Sequence, residues 1–540
     1  MNRRWMYKFI GLFVFSFLCI LQLASAQVST DPNSKVINII SADTLSFRKT
    51  NDTTNLKVLS GHVVVKQQTT TFYCDSAILN ELSNTLDAFG HVHINNADSV
   101  HTYADYLRYI GNDKTAFLRR NVRLTDGKGT LTTPELDYNT QTKIGIYRNG
   151  GKLVNGPTTL TSDEGFYYGQ TRDASFKKHV LLVNPDYRVT TDTLLYNTYS
   201  NIATFTVPTK IVSGKRVINT TNGYYNLQTK QSYFGDRPVI QDSTSILIAA
   251  RTASEDSTGN FEAQGNVIYR DTAQGYALFA NNVKGNKKTN ILLATEHPVM
   301  MIKQNNDSLF IAADTLFTAK QSSLKGLRSI PTIRDSMPPL DSVDFTGSDS
   351  TKDRYIEAYY HVRIFSDSLQ STCDSLFYSA VDSVFRLFKS PVIWANNSQI
   401  TGDTIYLYTK NKKPERAYVF ENALALSDVD STQFFNQVKG RTINGYFQNG
   451  EINFIRTQGN AESVYYTQDD DMKFIGVDKS SCDVIETYFR DRKPERVSRI
   501  SNLKGTFYPM QQVNHEELKL RGFNWQNNKR PKSKEDLFGG

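Results

Sequence analysis

The chain has 540 residues, 39% of them hydrophobic and 21% charged, with a formal charge of +8. Such a length ordinarily means several globular domains, unless the chain is a repeat array, whose core grows with each added unit. The positive excess is spread without a dense basic block, so it gives only a weak preference for an anionic partner.

Residues 1–26 read as a secretory signal peptide: Arg3, Arg4 and Lys8, an apolar run from Phe9 to Leu23, then Ala24-Ser25-Ala26 as a small-x-small cleavage site. The apolar run is shorter than the roughly 20 residues a spanning helix needs. Leu18 before Cys19 is too large for a lipoprotein cleavage site. The expected mature chain is exported and carries +5, the +8 of the whole chain less Arg3, Arg4 and Lys8.

From about Val36 a two-part unit recurs. Its first part reads small-Asp-x-apolar: "ADTLSF" at Ala42, "CDSAIL" at Cys74, "ADYLRY" at Ala104, "TDTLLY" at Thr191, "ADTLFT" at Ala313, "CDSLFY" at Cys373 and "GDTIYL" at Gly402. Its second part centres on a Val: "GHVVVK" at Gly61, "GHVHIN" at Gly90, "RNVRLT" at Arg120, "KHVLLV" at Lys178, "GNVIYR" at Gly265, "YHVRIF" at Tyr360 and "SPVIWA" at Ser390. Successive units start roughly 29 to 32 residues apart, within the range of stacked arrays. Both parts alternate with period two and are rich in Val, Ile, Tyr, Phe and Thr, while Asn, Gly and Asp supply turns such as "NELSNT" at Asn80. The fold class expected is all-β: an elongated array of stacked antiparallel strands, about 30 residues per repeat. Equivalent Val positions would line one apolar interior in an array open or closed along its side; folded over without sealing, it would be a long slot open to solvent along one side.

Residues 36–320 form the first β segment on this reading and 354–508 the second. Between them 321–353, with Pro338-Pro339 and many Ser and Asp, reads as an insertion or hinge. Residues 509–540, polar and basic, read as a disordered tail.

Chemistry-bearing residues follow the repeat instead of clustering apart from it. Asp43, Asp75, Asp105, Asp163, Asp192, Asp314, Asp374 and Asp403 recur with the architecture, as expected of a corner residue whose carboxylate accepts backbone N–H bonds. His62, His91, His179 and His361 precede the repeat Val. His62, His91 and His93 could meet as a zinc cluster, but a polar outward row fits better because no carboxylate stands in an obvious place behind them. Cys74, Cys373 and Cys482 occupy the small slot held elsewhere by Ala42, Ala104 and Ala313, and read as small apolar residues. No metal, cofactor or catalytic residue is expected, since G-x-S-x-G, H-E-x-x-H and phosphate-binding glycine loops are all missing. Nucleic acid is not an expected partner, because the aromatics sit at the repeat's packing position.

The repeated "ADYLRY … RRNVRL" text of Ala104 to Leu124, in an exported all-β chain, resembles the OstA/LptA family of lipopolysaccharide-transport proteins, most of all its long Bacteroidetes-type members. The resemblance runs from about Val36 to Gly505, excluding the insertion. It implies a folded-over β-jellyroll in the periplasm, associated with the outer membrane, that carries lipopolysaccharide by its lipid A acyl chains. It also implies edge-to-edge contacts with jellyroll domains of an inner-membrane component and an outer-membrane translocon. The groove-lining positions carried over are Val63, Val65, Val92, Ile94, Val122, Leu124, Val180, Leu182, Val267, Val299, Val362, Ile364, Val392 and Trp394. The rival expectation is a structural or adhesive exported β-solenoid with a packed interior and no lipid.

Overall fold

The computed structural model describes residues 36–49, 55–97, 100–303, 308–327, 329–330, 353–410, 413–429, 434–448, 451–469, 471, 473–490 and 493–539. The leader and the Pro338-Pro339 pair lie outside the described residues. Within them the chain is all-β, with 40 strands in antiparallel pairs and only short 3-10 turns besides.

Each long strand turns one corner. In Thr85–Asn96 the first half, Thr85 to Phe89, pairs with Asn80 to Ser76, and the second, from His93 to Asn96, pairs with Tyr73 to Thr70. Between the halves the register shifts, and Gly90 and His91 both take positive φ, 71° and 40°. Two successive left-handed residues redirect the strand, so its second half joins a second sheet folded over the first. The same device recurs at Gly61-His62, Arg120-Asn121, Lys178-His179, Gly265-Asn266, Tyr360-His361, Glu421-Asn422 and Ser501-Asn502. At Gly90 glycine also clears space, because a Cβ there would stand 2.2 Å from the Asp75 carboxylate.

The recurring Asp pins this corner, though not by the bond expected from the sequence. Its carboxylate meets a side chain one repeat half later: Asp43 with His62 (2.9 Å), Asp75 with His91 (2.8 Å), Asp105 with Asn121 (2.7 Å), Asp163 with His179 (2.6 Å) and Asp314 with His361 (2.8 Å). Asp403 and Asp483 do the same with Asn422 and Asn502. The backbone bond runs the other way, from Asp43 N–H to the Gly61 carbonyl. His and Asn are interchangeable here because each offers a short N–H donor and tolerates φ above zero.

The hydrogen bond to Asp43, then its charge, raises the His62 pKa above its ordinary value, and Asp75 does the same for His91. A folded-state pKa that is raised contributes stability fully below the unfolded value of about 6.5 and loses it as pH rises through the folded pKa. NMR titration should place His91 above that ordinary value, and Asp75→Asn should return it. An unmoved titration would contradict the corner pairing.

The chain divides into two compact units, Met1–Pro185 with Leu195–Tyr199, and Asp186–Leu194 with Ser200–Gly540. The 321–353 segment is not the boundary between them. Thr315–Lys320 pairs directly with Arg354–Tyr359, so the ladder closes around the segment and its two ends anchor together through Ser322 and Asp353. The strands on either side of the segment thus belong to one compact unit.

Residues 509–539, expected to be disordered, are packed along the second unit. Leu518 and Leu520 are buried against Val464, Tyr466 and Val477, and Leu537 against Val299, Phe310 and Ala312. Phe523 and Trp525 meet Phe435. The buried amide of Gln399 donates to the Asn524 carbonyl and accepts from the Gln526 N–H, both at 2.7 Å. Polar composition hid this, because a few well-spaced apolar side chains suffice where an apolar sheet face waits for them.

Candidate functional site

In each unit the residue directly after the corner points between the two sheets, and so does every second residue beyond it. This places Val63, Val65, Val92, Ile94, Val122, Leu124, Val180 and Leu182 on the inner face of the first unit and Val267, Val362 and Ile364 on that of the second, all at most 4% exposed. Small residues share these rows: Ala88, Ala104, Ala263, Ala358 and Ala423, with Cys74 and Cys373, whose thiols burial pushes up to about 12.

Val299, Val392 and Trp394 are placed differently from the expectation. In "EHPVMM" and "KSPVIWA" the left-handed pairs are Glu296-His297 and Lys389-Ser390, so Pro298 and Pro391 take the slot that Val holds elsewhere. One extra residue flips the alternation. Met300 and Ile393 join the inner cluster, while Val299, Val392 and Trp394 take the outward phase and are buried, Val299 beside Leu537 of the C-terminal segment. The Trp394 indole N–H donates to Gln399, which holds that segment.

Of the two possibilities, a side open to solvent or closed, the first unit shows the closed one. Opposite the corners, where the turns of the two sheets face each other, the last inward residue of each strand is polar, and in the first unit these residues bond across the opening. Tyr109 donates to Gln67, whose amide donates to the Gly111 carbonyl at 3.2 Å. Asn96 donates to the Tyr138 hydroxyl (3.1 Å) and the Thr140 carbonyl (2.7 Å). Tyr167 (2.6 Å) and Thr198 (2.9 Å) donate to Asp126. Asn155 donates to the Tyr196 hydroxyl at 3.0 Å. Tyr109, Tyr138, Tyr167 and Tyr196 stand 29 residues apart, one per layer. Burial pushes the hydroxyls of Tyr109, Tyr138 and Tyr196 up to about 12, so they stay protonated, Tyr109 donating to Gln67 while Tyr138 and Tyr196 accept from Asn96 and Asn155. In the second unit arginines join the closure: Arg216 (3.3 Å) and the Tyr225 hydroxyl (3.2 Å) reach Asp256, and Arg354 donates to the Gln274 carbonyl.

Asp126 is the ionised member of the first unit's row. Burial alone would raise its pKa, but hydrogen bonds from Tyr167, the Gly129 and Lys128 amides and Thr198 outweigh that and hold it below the ordinary carboxylate value. A depressed folded pKa gives stability that is present above the unfolded value of about 3.9 and lost as pH falls through the folded pKa. Near-ultraviolet circular dichroism should therefore report loosened tyrosines below about pH 4, and Asp126→Asn should flatten that dependence. An unchanged profile in the variant would exclude Asp126 as the titrating group.

The histidines weighed for zinc do not converge. His62 and His91 bond their corner aspartates, while His93 lies on the outer face, 3.1 Å from His101 and stacked between Tyr73 and Tyr103. Among the described residues no three His, Cys, Asp or Glu side chains are grouped to hold a metal ion.

Residues 34–192 and 188–250 match the family model described as OstA-like protein. A solved structure, LptH of Pseudomonas aeruginosa, described as the LptA homologous periplasmic component of the conserved lipopolysaccharide transport device, aligns at 19% identity over 21% of this chain and 84% of its own, with a TM-score of 0.19. No curated protein matches. The tyrosine row has a sequence signal in its 29-residue spacing, but aromatics at the repeat's packing position read there as packing alone.

Proposed function

The chain is an OstA-like protein over residues 34–250, and from that premise we propose that it is a non-enzymatic periplasmic lipid carrier, holding lipopolysaccharide by its acyl chains between its two sheets on the way to the outer membrane. The observation that carries this reading is the contrast between the interior and its mouth. The inner rows are continuous and apolar, yet in the first unit the opening is shut only by a pair of hydrogen bonds per layer, centred on Gln67, Asn96, Asp126 and Asn155. Each is worth a net ~0.5–1.5 kcal/mol, whereas every acyl methylene taken out of water contributes about 0.8 kcal/mol. A chain of a dozen methylenes therefore offsets opening several layers. A photo-crosslinking side chain at Ile94, facing inward, should capture acylated lipid in the native envelope, and one at Trp394, facing outward, should not. Capture at neither position, or equally at both, would refute the reading.

The second reading, a structural β-solenoid without lipid, draws on the near-complete burial of the inner rows, with Val65, Ile94, Val180 and Leu182 at 0% exposure. Two packed faces need no ligand. The same crosslinking experiment separates the two.

Edges supply partners. Thr44–Lys49 is exposed along its whole length, including Leu45 and Phe47, and pairs only with Asn55 to Ser60 among the described residues. Lys504–Pro509, with Phe507 exposed, pairs among the described residues only with Gly476 to Ser481. Unpaired ladder groups beside exposed apolar side chains suit addition of a strand from another jellyroll domain. Leu45→Arg with Phe47→Arg should end co-purification of such a domain while leaving the fold intact; undiminished co-purification would remove this edge as the docking site.

A further inference from the structure

The row that shuts the first unit has a lip. The turns beside it carry a basic residue at the same place in successive layers, Lys114, Lys143 and Arg172, again 29 residues apart and each with positive φ. Their backbones are tied into the row: the Lys114 carbonyl accepts from the Thr140 N–H and the Arg172 carbonyl from the Thr198 N–H. Lys114 Nζ reaches across the opening to Gln68 on the facing turn, at 2.5 Å. A thin polar seam, a pair of hydrogen bonds in each layer, over an apolar interior and under a line of cations, has the chemistry of an amphiphile's point of entry. The seam can part layer by layer, and the lip can keep a negative headgroup in water while the chain goes in.

We propose that this seam is a lateral entry site for anionic acyl lipids, with the Tyr109, Tyr138, Tyr167 and Tyr196 row as its gate and Lys114, Lys143 and Arg172 as its headgroup lip. The proposal rests on the lipid-carrier reading and adds where the chain enters and what holds the seam shut. Entry from the side differs from threading through an end, because it depends on bonds in the middle of the unit. Removing the four hydroxyls leaves the apolar rows untouched, so it should speed entry without changing what is bound. Reversing the lip charge should slow encounter most at low salt.

The test uses the full chain, freed of lipid, and cis-parinaric acid, an anionic fatty acid that fluoresces on entering an apolar site, followed by stopped flow. The Tyr109→Phe, Tyr138→Phe, Tyr167→Phe, Tyr196→Phe variant should take up the probe at least tenfold faster than the parent. Lys114→Glu, Lys143→Glu, Arg172→Glu should take it up at least tenfold more slowly at low salt, and the difference should shrink at high salt. Because the tyrosine variant risks unfolding, a second protein carries Gln68→Cys and Lys114→Cys joined by a reducible crosslinker. It should load more slowly than the parent and recover when reduced. Uptake at the parent's rate in all three proteins would overturn the gate while leaving the slot standing. No uptake by any of them, the parent included, would overturn the lipid-carrier reading and the gate with it.

Discussion

Ile94→Asp is expected to unfold the first unit, whereas His93→Asp, one residue away, is expected to leave it folded. Ile94 has no exposed surface and sits between Phe72 and Thr102 on neighbouring strands of the inner face. Truncating a buried Ile costs about 2–5 kcal/mol, and an unpaired carboxylate forced into the same place adds several more. Against a total stability of roughly 5–15 kcal/mol that is most of what holds the unit together. His93 faces outward, half-buried among Tyr73, Tyr103 and His101, with burial and then the charges of His101 and Arg123 lowering its pKa. A carboxylate there meets Arg123 and water. Urea unfolding of the two variants checks the assignment of faces, and an Ile94→Asp protein within about 1 kcal/mol of the parent would mean the inner row is misassigned.

The second large effect belongs to a residue that does not line the slot. Trp394→Ala should cost the second unit about 3–5 kcal/mol, because the indole is fully buried and bonds Gln399, which in turn holds Asn524 and Gln526. Trypsin should then cut at Lys519, Arg521 or Lys529, sites the packed segment protects in the parent, while lipid recovered from the first unit stays the same. If the segment remains protected and stability is unchanged, Trp394 is not what fastens it.

Much of this architecture is legible in the residues. The alternation around Val92 and Val122 gives strands, and the spacing of the Asp and Val parts gives a stack of them. The corner is half legible: Asp75 and Gly90-His91 mark it, but that the carboxylate meets His91 itself is a three-dimensional fact, since the two lie on different strands. The outward turn of Val392 and Trp394 was hidden by reading "SPVIWA" on its Val, when the left-handed pair Lys389-Ser390 sets the phase and Pro391 fills the slot. The closed mouth was hidden for another reason. Tyr138 and Asn96 lie 42 residues apart, and an inward amide at a strand end looks like turn composition until its partner across the sheets is known. The packed C-terminal segment defeats a composition argument in the same way, because Leu518, Leu520 and Leu537 do the anchoring within an otherwise polar stretch.

The central claim is that acyl chains lie between the two sheets, and the most direct measurement is the lipid that travels with the protein. The chain would be purified from its native envelope without detergent exchange and analysed intact by mass spectrometry, next to the crosslinked Gln68→Cys, Lys114→Cys protein after its own lipid has been stripped and the lipid offered back. The account predicts an acylated, anionic lipid in near-stoichiometric amount on the native protein and little reloading of the crosslinked one until it is reduced. A native protein that carries no lipid would contradict it and leave a packed β-solenoid in its place.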